Sequence, residues 1–170
     1  VRNRSKEPET DRFCLIWDDV TYRPGELKVI AYDENGAKAM TRTVRTAEKA
    51  TALRLTPDKD IMDADGEDLC FINVSVTDDN GNPVPNDDRL INVKVSGAGS
   101  FKGMTNDSPT CPEPFHKPQM HLFNGQLTVL VQSSKTPGTI TVEVSGKGLR
   151  KSTVTIKTEA AAINRHVRAA

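Results

Sequence analysis

The chain has 170 residues and a mass of 18.6 kDa, enough for one domain of average size or two small ones. It is too short for a complete barrel enzyme, since a (β/α)8 barrel alone takes roughly 250 residues. Lys plus Arg (23) balances Asp plus Glu (23), so no summed field draws in nucleic acid or an anionic membrane surface. Hydrophobic residues make up 36%, mean hydropathy is -0.50, and no apolar run approaches the roughly 20 residues of a membrane span, which predicts a soluble protein.

Val1 opens a polar stretch, VRNRSKEPET, with no apolar signal segment, so the sequence reads as an excerpt from a longer precursor. Period-two alternation broken by turn signals then recurs from end to end and predicts an all-β chain. RFCLIW (12 to 17), ELKVIAYD (26 to 33) and AKAMTRTVRT (37 to 46) read as three strands, separated by Pro24-Gly25 and by the hairpin dipeptide Asn35-Gly36. A three-stranded meander is near the lower limit of stability, and an immunoglobulin-like sandwich wants about seven strands. Residues 1–48 therefore read as the C-terminal strands of a truncated immunoglobulin-like domain, its remaining strands lying upstream or supplied by another chain through the open edge.

The polar stretch 47 to 50 marks a boundary near Lys49, and 49–158 reads as a complete immunoglobulin-like β-sandwich. Its strands are predicted at 52 to 57, 69 to 78, 90 to 97, 126 to 134, 138 to 146 and 151 to 158. Shared parity predicts an inward face of Leu53, Leu55, Ile72, Val74, Val76, Ile91, Val93, Val95, Leu127, Val129, Val131, Ile140, Val142, Val144, Val154 and Ile156. Thr128, Thr141, Glu143 and Thr155 are expected to face water. Two stretches break the pattern. Residues 101 to 125 read as a long, proline-rich loop, functional or packed on a neighbour. The Ala/Arg tail 159–170 reads as a frayed helix or a disordered end, with His166 solvated.

Motifs for hydrolytic chemistry are absent: there is no G-x-S-x-G, H-E-x-x-H or G-x-x-x-x-G-K-[ST]. Cys14, Cys70 and Cys111 form no C-x-x-C and permit at most one disulfide, and Cys70 shares the parity of core residues, predicting an inert thiol. His116 and His121 lie near Cys111, but three separated ligands fall short of the four that zinc wants, so they read as loop residues and no metal is expected. The acidic stretch 58 to 68 fails as a calcium loop because the ligand frame puts Ile61 first and Ile72 last; charged turns are the better reading. Asp18 and Asp19 follow Trp17, yet adjacent strand carboxylates point to opposite faces and cannot flank a glycosidic bond. Trp17 with Tyr22 or Tyr32 is a conceivable sugar platform, against which stands a buried core or interface tryptophan.

RFCLIWDDVTYRPGELKVIAYDENGAKAMTRTVRTA resembles the end of the immunoglobulin-like domain that follows the catalytic barrel in bacterial family 2 glycoside hydrolases of the β-galactosidase type. LTPDKDIMDADGEDLCFINVSVTDDNGNPVPNDD, GAGSFKG, FHKPQMHLFNGQLTVLVQSS and PGTITVEVSGKGLRKSTVTI are similar to the C-terminal immunoglobulin-like domain of the same enzymes in Bacteroides-type bacteria. DNGNPVP (79 to 85) also resembles hairpins of adhesin-type repeats.

The hydrolase resemblance implies a periplasmic or extracellular protein that hydrolyses β-galactosides by a retaining, two-carboxylate mechanism. Its catalytic glutamates would lie on a barrel upstream of Val1, leaving this chain without catalytic residue or cofactor. The expected partners are the catalytic and sugar-binding domains of the same polypeptide, with a second subunit or a glycan as further candidates. Phe115, His116, Met120, Phe123 and Trp17 are the expected docking or sugar contacts, Met120, Leu122 and Phe123 being apolar groups that a plain solvent loop does not need. A carbohydrate-binding module and an adhesin stalk are the alternative readings.

Overall fold

The computed structural model describes residues 14–18 and 20–160, all strand, turn or irregular chain. Expectations for Asp19 and the 161–170 tail lie outside the described residues, and the chain divides into two compact units between Thr46 and Ala47. In the first unit β1 (Glu26–Tyr32) pairs antiparallel with β2 (Lys38–Arg45). Asp33 closes the turn, its Oδ1 accepting the backbone N–H of Asn35 at 2.9 Å and of Ala37 at 2.8 Å. The strand expected at 12 to 17 does not form over Cys14–Trp17, which is irregular. Alternation by itself does not make a strand, and Cys14–Trp17 joins none of the sheets formed among the described residues.

The second unit holds β3 (Ala52–Pro57), β4 (Ile61–Asp63), β5 (Leu69–Thr77), β6 (Leu90–Gly97), β7 (Gly99–Thr105), β8 (Gln119–His121), β9 (Gln126–Ser133), β10 (Gly138–Gly146) and β11 (Ser152–Glu159). They form a five-stranded sheet in the order β4-β11-β10-β6-β8 and a four-stranded sheet in the order β3-β5-β9-β7. All pairings between strands are antiparallel except β4 with β11. The molecule is thus all-β, with an immunoglobulin-like β-sandwich as its main unit. Inward residues of both sheets make one core.

Of the predicted inward face, Leu55, Val95 and Val154 are half-buried and all the others are buried. Among the residues expected outside, Thr155 is exposed, whereas Thr128, Thr141 and Glu143 are half-buried, because strands on both sides of β9 and β10 cover their flanks.

Three strands were not expected. β4 lies in the acidic stretch read as charged turns, and its Met62 is 1% exposed against β11. β7 opens within GAGSFKG, where its own two glycines, Gly99 and Gly103, and a register shift between Phe101 and Gly103 hide the alternation. β8 lies inside the expected 101 to 125 loop, so the irregular stretch shrinks to residues 106 to 118.

Candidate functional site

The segment between β7 and β8 is the least regular part of the sandwich and carries two of the five expected contact residues, Phe115 and His116, with Met120 in β8 and Phe123 just beyond it. It is organised by two side chains. Asn106, 8% exposed, donates from Nδ2 to the His121 carbonyl at 2.9 Å and accepts the Ser108 N–H at 3.1 Å. Glu113 takes the His121 backbone N–H on one oxygen and faces His121 Nδ1 with the other, each at 2.9 Å. Burial pushes the Glu113 carboxyl up, but the His121 backbone and ring groups more than offset this and leave it below its ordinary range. Cys111 Sγ approaches the same carboxylate at 3.9 Å. Neither Asn106 nor Glu113 was singled out from the sequence; Asn106 in a polar run and Glu113 between Pro112 and Pro114 carry no local signal of the bonds they make fifteen and eight residues away.

The structure separates the five expected contact residues. Met120 is 2% exposed and Leu122 3%, both in the domain's own core, so Met120 is withdrawn as a partner contact: its apolar character is explained by packing within the sandwich. Phe115 is 70% exposed and Phe123 41%, and His116 is exposed. The Phe115 carbonyl accepts the Met104 N–H at 2.9 Å, tying the segment to β7 while the ring stays in solvent. Trp17, in the first unit, is half-buried; Tyr22 and Tyr32 are exposed, and Tyr22 meets Thr46 Oγ1 at 3.2 Å.

The acidic stretch behaves as turn chemistry. Asp65 Oδ1 accepts the N–H groups of Glu67 and Asp68, both at 2.7 Å, and these bonds hold its carboxyl below the ordinary range. Asp68 pairs with Lys59 Nζ at 2.9 Å and accepts the Asp63 N–H at 2.9 Å. Among the described residues no group of three or more His, Cys, Asp or Glu is arranged to hold a metal ion, and His116 and His121 are not brought together with Cys111 as ligands. All three cysteines are free. Cys70 is fully buried, and burial, helped by the neighbouring Asp58 carboxylate, pushes its thiol up to about 11.

Comparison with known proteins agrees with this architecture. Residues 53–155 match the family model of the glycoside hydrolase family 2 C-terminal domain 5, and residues 2–40 match a domain of unknown function (DUF4982). The chain is 36% identical over 154 residues to the β-galactosidase BoGH2A of Bacteroides ovatus, covering 91% of this chain and 18% of that protein. It superposes with a TM-score of 0.77 and 28% identity on a glycosyl hydrolase family 2 member from Bacteroides cellulosilyticus, covering 82% of this chain and 18% of the other. A β-glycosidase from Bacteroides vulgatus gives the same TM-score of 0.77 and 28% identity, over 81% of this chain and 18% of the other. The chain therefore spans about a fifth of the length of the relatives it matches. With the match running over most of its sandwich, the chain belongs to the glycoside hydrolase family 2 C-terminal domain 5 family and corresponds to a C-terminal part of such hydrolases.

Proposed function

We propose that this chain is the non-catalytic C-terminal region of a β-galactosidase-type hydrolase, supporting or positioning a catalytic barrel or the assembly of subunits. The observation that carries this is the match itself: the chain aligns along 91% of its length with 18% of a β-galactosidase, at the position of a C-terminal domain. In this reading the parent hydrolyses β-galactosides by the retaining, two-carboxylate route on residues outside this chain, and works in the periplasm or outside the cell. The first unit is the end of a second sandwich, and the complete sandwich contributes stability and spacing.

The test compares the full gene product, the same protein lacking residues 47–160, and this chain alone, on a chromogenic β-galactoside. The expected result is no turnover by the isolated chain, and faster thermal inactivation or altered assembly in the deletion. Turnover by the isolated chain would overturn the non-catalytic assignment; unchanged inactivation and assembly in the deletion would overturn the supporting role.

A second reading, a carbohydrate-binding module, is favoured by the Phe115 ring, 70% exposed beside the exposed His116. Protein-observed NMR titration with galactose, lactose and plant and host glycans separates the two. Shifts confined to residues 106 to 118 or around Trp17 support sugar binding, and silence at millimolar sugar removes it.

A further inference from the structure

The outer faces of the two sheets of the sandwich are chemically different. The five-stranded sheet carries ion pairs: Glu143, opposite Lys94 and Thr153, meets Lys151 at 3.4 Å, and Lys157 meets Glu159 at 2.7 Å. On the four-stranded sheet the register sets Thr56 opposite Asn73, Asn73 opposite Thr128 and Thr128 opposite Thr105. Directly opposed residues point to the same side of a sheet, and their chain neighbours Ile72, Val74, Val129 and Met104 are buried in the core. The four side chains therefore form one outward row of neutral hydrogen-bonding groups across β3, β5, β9 and β7.

On one side of this row Phe71 stands opposite Leu130, and Leu130 opposite Gly103; on the other stand Arg54, Ser75 and Gln126. Phe71 is 45% exposed although its strand has neighbours on both sides, and Leu130 is half-buried. A Cβ on Gly103 would lie 3.2 Å from the Phe115 carbonyl, so the segment with the exposed Phe115 ring borders the same face. The ions of these rows stand at their β3 ends and are engaged. Arg54 donates to the Gly81 carbonyl at 2.7 Å, and Asp58 accepts the Phe71 N–H at 2.9 Å. Lys102 sits in the bulge of β7, outside the rows. The side chains of Thr56, Asn73, Thr128 and Gln126 make no hydrogen bond with another described residue, and Thr105 Oγ1 accepts the Asp107 N–H at 3.3 Å.

We propose that the outer face of the four-stranded sheet binds a neutral oligosaccharide laid across the strands. Phe71 and Leu130 lie under the apolar face of a sugar ring, and Thr56, Asn73, Thr128 and Thr105 take its hydroxyls. Hydroxyls and amides donate and accept at once, as sugar hydroxyls do, and they cost far less to take out of water than ions. An exposed aromatic ring supplies the flat apolar area that the C–H face of a sugar needs. With strands about 4.8 Å apart the row is about 14 Å long, room for several sugar units rather than one. The proposal rests on the carbohydrate-binding reading and names its face and its sugar class. An acidic glycan is disfavoured because the rows hold no unengaged cation. A protein partner is disfavoured because two apolar side chains fall short of the apolar core that protein interfaces bury.

Protein-observed NMR of this chain tests the proposal by titration with cellohexaose, galactan hexaose and, as the acidic counterpart, oligogalacturonate. Saturable shifts of the Phe71, Asn73, Thr105 and Thr128 amides are expected at millimolar concentrations of a neutral hexaose, and none with oligogalacturonate. Phe71→Ala is expected to weaken binding at least about tenfold, while Phe71→Trp, which keeps a ring, retains it. Thr155→Ala, on the other sheet, is expected to leave binding unchanged, and an unaltered urea midpoint shows that each variant keeps its fold. Silence of the four amides with both neutral hexaoses overturns the proposal, as does equal binding of oligogalacturonate or undiminished affinity in a folded Phe71→Ala. Shifts confined to residues 106 to 118 or around Trp17 overturn this face and leave the carbohydrate-binding reading standing, whereas silence throughout the chain removes both.

Discussion

The carboxylate of Asp78, at the end of β5 and only 1% exposed, accepts the backbone N–H of Glu48 at 3.0 Å. The same side chain takes the N–H groups of Asn80 at 2.9 Å and Asn82 at 2.8 Å, and Nδ2 of Asn82 at 3.0 Å. These donors, Glu48 foremost and Asn82 next, lower its carboxyl to about 2. In the unfolded chain it titrates near 4. A carboxyl depressed on folding stabilises the fold above the unfolded value and loses that contribution as pH falls toward the folded one. Stability is therefore expected to drop between about pH 4 and pH 2, and Asp78→Asn to be less stable at pH 7 with a flatter profile in that window. Thermal unfolding against pH measures both; parallel profiles would remove Asp78 from the effect.

Gly125 links β8 to β9 at φ 72°, and a Cβ there would run into the Val84 carbonyl. Its own N–H donates to the Asp87 carbonyl at 3.0 Å, and its carbonyl accepts the Val76 N–H at 2.9 Å, so the backbone cannot step aside cheaply. Gly125→Ala is expected to cost about 2 kcal/mol or more in urea unfolding, from strain at positive φ and displaced backbone. A loss below about 0.5 kcal/mol, the range of ordinary surface changes, would show that the turn relaxes freely.

Met120 and Phe115 lie five positions apart, one 2% and the other 70% exposed. In the isolated chain, where no other domain is present, Met120→Ala is expected to cost about 2 to 5 kcal/mol through the cavity it leaves. Phe115→Ala is expected to stay within about 0.5 kcal/mol. Chemical denaturation of the two variants decides it; equal small losses would return Met120 to the surface.

Thiol accessibility should follow burial. Cys14 is exposed and Cys70 fully buried with its thiol pushed up to about 11, so at pH 8 a water-soluble alkylating agent should label Cys14 and leave Cys70 untouched in the folded chain. Peptide mapping by mass spectrometry reads this directly. Labelling of Cys70 at the rate seen in urea would mean that β5 opens.

Legibility of the fold tracks the length of alternation. β5, β9 and β10 run through eight or nine residues with apolar groups at every second position, and their buried residues were readable one by one. β4 and β8 have three residues each and no room for a period. The candidate site was legible in location but not in content. A proline-rich interruption marked residues 101 to 125, of which only 106 to 118 stay irregular between β7 and β8, and Asn106 and Glu113 define that segment through bonds to His121.

The sequence by itself determined the class of structure, the parity of the long strands and the kinship with family 2 hydrolases. The class of structure and the strand parity rest on local properties, the two-residue period of an extended backbone and the turn residues that interrupt it, whereas the kinship rests on the resemblance of whole motifs. Only the tertiary structure decided that β4 pairs with β11, that Met62 and Met120 fill the core, and that Thr56, Asn73, Thr128 and Thr105 stand in one row. Pairing and burial are set by partners far along the chain. A short apolar stretch therefore looks the same in sequence whether it faces its own core, another domain or water.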